Sequence, residues 1–146
     1  MRLFASLHKA LLSLKNADFI GLFLVRVYLS YVFWQAGMGK MNNLSRFSEW
    51  LSTLNIPFSE IMTWIVIITE AGGAFLLLIG LFVRWVTIPM LFIMFTAVFT
   101  VHFNNGWSQE NNGIEMAATY SLFLFILLLS GPGRYLSLDY WVKSEK

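Results

Sequence analysis

The sequence contains no cysteine. Disulfides, thiol–disulfide exchange, iron–sulfur ligation and covalent haem attachment are therefore excluded for this chain. Histidine is almost as scarce. His8 stands in the N-terminal segment and His102 at the far end of an apolar run, so the two cannot clamp one haem inside a bilayer. Charge is the third shortage: 12% of the 146 residues are charged, half the usual share of a soluble domain. The net charge of +2, with no basic run, leaves nucleic acid nothing to bind.

What fills the chain instead is apolar: 58% of residues are hydrophobic and the mean hydropathy is +0.66. That composition places the protein in lipid. A spanning helix needs about 20 apolar residues, and four stretches approach or exceed that length. Phe19–Gly39 is apolar apart from Arg26 and Gln35, and Ile61–Val83 is interrupted only by Glu70. Trp85–Val101 is uncharged with Pro89 in its first turn, and Ile114–Ser130 carries only Glu115. Lipid leaves no partner for unpaired backbone groups, so uninterrupted runs without strand-like alternation mean helices. The expected fold is an all-α membrane protein, a four-transmembrane-helix bundle over residues 19–146 behind a cytoplasmic amphipathic segment over 1–18. The short link at Arg84 predicts an antiparallel hairpin of the second and third helices.

Three further segments predict short interfacial helices. Leu3, Leu7, Leu11 and Leu14 recur at helical spacing beside Lys9 and Lys15, and Leu44, Phe47, Leu51 and Leu54 oppose Arg46 and Glu49. Tyr135–Val142 is the third. Orientation follows from basic residues flanking the spans. With the N-terminus inside, Arg2, Lys9, Lys15, Arg84, Arg134, Lys143 and Lys146 are inside and only Lys40 and Arg46 outside. Both termini are expected in the cytoplasm.

The informative residues are those that lipid should exclude. Arg26 lies roughly 10 Å into the first span, and Glu70 near the middle of the second. Each should face the bundle and find a partner, which makes Arg26 and Glu70 a candidate intramembrane pair. Ser30, Phe33 and Gly37 share the Arg26 face, and Gly73 and Ala74 the Glu70 face, small residues that let helices approach closely. A second group gathers at the outer ends of the helices: Lys40, His102, Asn105 and Glu115 form a candidate outer-face site, entered between helices. Met38, Met41, Met62 and Met116 fall near the same level, and thioethers with an imidazole suit Cu(I). Methionine is also common core filler.

These residues stand in motifs that resemble the DoxX family of small bacterial membrane proteins. The matching pieces are Arg26, Gly37-Met38-Gly39-Lys40, Pro57-Phe58, Glu70 with Gly72-Gly73, Gly80-Leu81-Phe82, His102-Phe103-Asn104-Asn105-Gly106 and Gly131-Pro132-Gly133. Phe33-Trp34-Gln35-Ala36-Gly37, Asn105-Gly106-Trp107, Asn111-Asn112-Gly113-Ile114-Glu115 and Arg134 to Trp141 are closest to the HvfX-like branch of that family. The resemblance implies shared polar positions at Arg26, Lys40, Glu70, His102 and Glu115. It implies an accessory membrane subunit near a thiol- or quinol-linked redox system, with a quinone between the helices. The likeness to the HvfX-like branch implies, alternatively, a non-enzymatic scaffold or metal-handling partner in the maturation of copper-binding modified peptides. The expected partners are the lipid bilayer and either another protein or further copies of this chain.

Overall fold

The computed structural model describes residues 17–144, together with His8 and Leu12. The amphipathic segment expected over residues 3–15 lies outside the described residues apart from those two positions. Helix α1 spans Asp18–Met41 and carries Asp18 in its first turn and Lys40 in its last, the signs that the helix dipole favours. Two asparagines turn the chain into α2, Leu44–Thr53, which buries Leu51 and turns Arg46 and Glu49 outward as its sequence pattern requires. Phe58, with φ 53°, then starts α3 over Ser59–Ile79. Gly80 at φ 71° ends that helix in the left-handed conformation that glycine adopts without strain. Helix α4 runs over Val83–Asn105, α5 over Glu115–Ser130 and α6 over Leu138–Ser144. Among the described residues there is no strand.

Three of these helices are long and apolar enough to cross a membrane, with 24, 21 and 23 residues for α1, α3 and α4. At 1.5 Å per residue each exceeds a hydrocarbon core of about 30 Å. The stretch expected as a fourth span forms an apolar helix, α5, whose 16 residues reach only about 24 Å, short of that thickness. The hairpin of α3 and α4 turns earlier than expected. The reversal falls on Gly80–Phe82, where two residues have positive φ, and Arg84 is already helical. Because α4 starts at Val83, Pro89 lies inside the helix rather than in its first turn.

The core is assembled from all four long helices: Leu29 and Phe33 of α1, Ala74 and Leu77 of α3, Val83 and Met90 of α4, Leu124 and Leu127 of α5. Helix α1 packs along α3, and α4 along α5. Glycines set two close approaches. A Cβ on Gly37 would lie 2.9 Å from the Ala71 backbone nitrogen, and one on Gly73 would lie 2.8 Å from Met90 Sδ. The opposite surfaces of the helices are apolar and exposed, among them Leu24, Ile68, Phe75, Trp85, Phe92, Phe99 and Leu129. In water that would be a continuous sticky band; in lipid it is the expected exterior. The bundle has a loop end, carrying α2 and the 106–114 loop, and a terminal end, carrying the Gly80 turn and α6.

A polar chamber at the loop end

Helices α3 and α4, which both face the chamber, are each locally underwound beside it. Helix α3 makes a π turn over Ile68–Gly72, with Glu70 at its centre, and α4 makes one over Val98–His102. Such turns re-aim the side chains that follow and recur at functional sites. Here they present Glu70 and His102 to one cavity.

Glu70 finds its partner in Lys40, whose Nζ lies 2.5 Å from Oε2. The carboxylate side chain is 4% exposed and the lysine 23%. Lys40 also donates to the Ala36 carbonyl at 3.5 Å and lies over the Phe47 ring, 5.5 Å from its centroid. The ion pair replaces the water that each charge leaves behind.

Arg26 does not pair with Glu70, contrary to expectation. The close approach of Gly37 to Ala71 fixes the register of α1 on α3. Arg26 stands about three turns further down α1, roughly 16 Å from that level at 1.5 Å per residue. It is 1% exposed, and its guanidinium donates from Nη1 to the Leu77 carbonyl at 3.1 Å and from Nη2 to that of Leu136. Its partners are a carbonyl in the last turn of α3 and one in the chain that leads into α6. Ser30, Phe33 and Gly37 are buried on the same face, as the sequence spacing requires.

Around Arg26 the terminal end is tied by a residue that sequence reasoning missed. The Asp139 carboxylate accepts from the Phe82 and Val83 backbone nitrogens at 2.8 and 3.0 Å, capping α4 from outside the helix. The Asp139 nitrogen donates to the Gly80 carbonyl at 3.0 Å. The available signal was that α4 begins without a Ser, Thr, Asp or Asn of its own to cap it. Arg84 likewise serves α5, donating to the Leu129 carbonyl at 3.0 Å.

The chamber beside the Lys40–Glu70 pair has a volume of about 580 Å³. Its walls are mainly apolar, with Phe33, Leu51, Leu54, Ile65 and Phe92 among them, and its polar groups are few: Lys40, Glu70, Thr96, Thr100, His102, Asn112 and Tyr120. His102 Nδ1 donates to the Asn112 carbonyl at 2.7 Å, which in the neutral ring leaves Nε2 as an acceptor.

The expected outer-face residues divide between two tasks. Lys40 and His102 line the chamber. Asn105 instead pins the adjoining loop by donating to the Val101 and Asn112 carbonyls at 3.1 and 3.2 Å. Glu115 does the same by accepting from the Gln109 nitrogen at 3.1 Å. Of the methionines, Met62 and Met116 reach the wall, Met38 and Met41 do not, and Met94, which the sequence did not single out, does. Tyr120 was also missed; its signal was the central place in Thr119-Tyr120-Ser121, a run of three hydroxyls within a mainly apolar helix. Among the described residues no three His, Cys, Asp or Glu side chains cluster to hold a metal ion.

Comparison with known proteins places this arrangement. The chain is 28% identical over 128 residues to an uncharacterized protein of Haemophilus influenzae, covering 85% of this chain and 84% of that one. It is 24% identical over 124 residues to the inner membrane protein YqjF of Escherichia coli, covering 84% of this chain and 92% of that one. No solved structure matches it. The DoxX family signature matches residues 21–103, a stretch that holds α2, α3, most of α1 and α4, the Lys40–Glu70 pair and His102. This multi-pass membrane protein belongs to the DoxX family.

Proposed function

We propose that the chamber binds the headgroup of a quinone and that the protein is an accessory membrane subunit of a thiol- or quinol-linked redox system. The observation that carries this reading is an ion pair with a buried carboxylate, facing a mainly apolar cavity. A volume of about 580 Å³ is ordinary for a small-molecule site, and such sites join apolar walls to a few convergent polar groups. A quinone supplies two-electron, two-proton chemistry that no side chain of this chain possesses. Its carbonyls require donors, which the Lys40 ammonium and the Tyr120 hydroxyl provide. Glu70 and His102 are the groups able to hold a proton beside it. The apolar walls exclude water and orient the ring.

In this reading the protein sits in a bacterial cytoplasmic membrane with both termini cytoplasmic. Seven flanking basic residues on the terminal side against two on the loop side support that orientation. Helix α5 is then the fourth crossing, accommodated by local thinning of the bilayer. A redox role also requires a partner protein or further copies of the chain.

Met62, Met94, Met116 and His102 around the same cavity favour a second reading, Cu(I) handling in peptide maturation as in the HvfX-like branch. Purification in native-membrane nanodiscs, followed by solvent extraction for quinones and elemental analysis for copper, separates the two. Quinone that accompanies the wild type and is lost from Lys40→Ala and Glu70→Gln supports the first. Copper without quinone supports the second, and finding neither overturns both.

A further inference from the structure

The two helices that flank the chamber are not packed along their whole length. Helices α3 and α4 meet at the terminal half, where Gly73 lies against Met90 so closely that a Cβ would stand 2.8 Å from its sulfur. Toward the loop end they part. The first half of α3 packs on α1 and α2, and the last turns of α4 pack chiefly on their own helix and the turn that follows. The chamber fills the space between the parted halves, since both Ile65 of α3 and Phe92 of α4 line it. Those same two side chains are 48% and 73% exposed on the outer surface of the bundle. They therefore stand at an opening, one face in the chamber and the other in the surrounding medium. At this depth that medium is hydrocarbon, because the neighbouring exposed residues Ile61, Ile68, Phe95 and Phe99 are all apolar.

We infer that the chamber opens sideways into the bilayer between α3 and α4, and that its ligand is a lipid-dissolved amphiphile whose apolar tail rests in this portal between Ile65 and Phe92. The reasoning is one of matching solvents. Lys40, Glu70 and Tyr120 lie within the chamber, whereas the two side chains at the gap, Ile65 and Phe92, are hydrocarbon. A wholly polar solute would have to cross that stretch unsolvated, at a cost of several kcal/mol for each unpaired polar group. A tailed molecule buries its head among the polar groups and leaves its chain in lipid. The inference deepens the quinone reading in that it names the tail and the route, but it concerns access and is tested without any quinone.

The absence of native cysteine makes the test direct. Ala117, on the far wall of the chamber and 6% exposed, is replaced by cysteine, and Leu122→Cys, 57% exposed on the outer surface, serves as the reference. Each variant in liposomes is treated with N-dodecylmaleimide, which partitions into the bilayer, or with a sulfonated maleimide confined to water. The dodecyl reagent is expected to label Ala117→Cys, and the sulfonated reagent to label it far more slowly. Adding Ile65→Trp and Phe92→Trp should slow dodecyl labelling at least tenfold relative to the Leu122→Cys reference. Ile65→Ala with Phe92→Ala should accelerate it, so that a folding defect in the tryptophan variant cannot mimic the result. Faster labelling from water, rates indifferent to both portal variants, or no labelling by either reagent would overturn the inference. A portal that passes this test while extraction yields no quinone leaves the access route intact and overturns the quinone reading alone.

Discussion

Replacing Lys40 by methionine removes the only ion that the described residues place against the Glu70 carboxylate. The two ends of the pair are unequal. Glu70 is 4% exposed at the centre of a π turn and cannot move to water, whereas Lys40 is 23% exposed on a flexible stem near the loop end. Leaving a buried charge unpaired costs about 3–5 kcal/mol. Lys40→Met should therefore lower the melting temperature by on the order of 10 °C, at about 2–4 °C per kcal/mol for a domain of this size. Glu70→Gln should cost less, about 1.5–3 kcal/mol for the lost charged hydrogen bond, because the ammonium can snorkel outward. The double variant Lys40→Met with Glu70→Leu should recover most of the loss, since an apolar pair of similar volume is often neutral or stabilising. Thermal unfolding in detergent, followed by circular dichroism, reads all three. Simple addition of the two single losses would refute a coupled pair. So would a cycle in which Arg26→Leu, and not Lys40→Met, couples to Glu70→Leu.

Asp139→Ala should destabilise the protein by about 1–2 kcal/mol through loss of the cap on α4, with Asp139→Asn milder, and the same melting assay measures both. Gly37→Val places a branched side chain against the Ala71 backbone, and should lower both the melting temperature and the yield of any ligand that co-purifies through Lys40 and Glu70. Met62, Met94 and Met116 changed together to leucine keep the chamber's volume but remove its soft donors; full cellular function in that variant excludes the copper reading. A reporter fused after Lys146 should behave as cytoplasmic and one inserted at Gln109 as exported, and the reverse pattern would place the chamber at the cytoplasmic face.

The helices were legible because lipid enforces long apolar runs, and their boundaries were blurred for the same reason. Hydropathy carries the second span through Gly80, Leu81 and Phe82 as though it continued, yet positive φ at Gly80 and Phe82 turns the chain there. The buried charges were legible as members of the bundle interior, because Arg26 and Glu70 are costly anywhere else. Their partners were not. Which residue of α1 stands level with Glu70 depends on the register of two antiparallel helices, and that register is set by the contact of Gly37 with Ala71. The π turns leave no trace in composition, so the sequence could place Lys40 and His102 at one end but could not turn Glu70 toward them. Met94 and Tyr120 escaped notice because each is an ordinary residue of an apolar helix until α4 and α5 are seen to share a cavity with α1 and α3.

The clasp at the terminal end has a consequence for how the protein is made. Arg26 lies in the first of the membrane-length helices among the described residues, and its two carbonyl partners are synthesised much later, one from Leu77 and one from Leu136. The cap on α4 comes from Asp139, which is synthesised after every membrane-length helix has been delivered. Insertion of α1 therefore precedes the arrival of both carbonyl acceptors of its arginine, and the hairpin of α3 and α4 waits for the same late segment. The described bundle is therefore latched by a segment made after its membrane-length helices, so a nascent chain arrested before residue 136 is held with a buried cation still seeking its second acceptor.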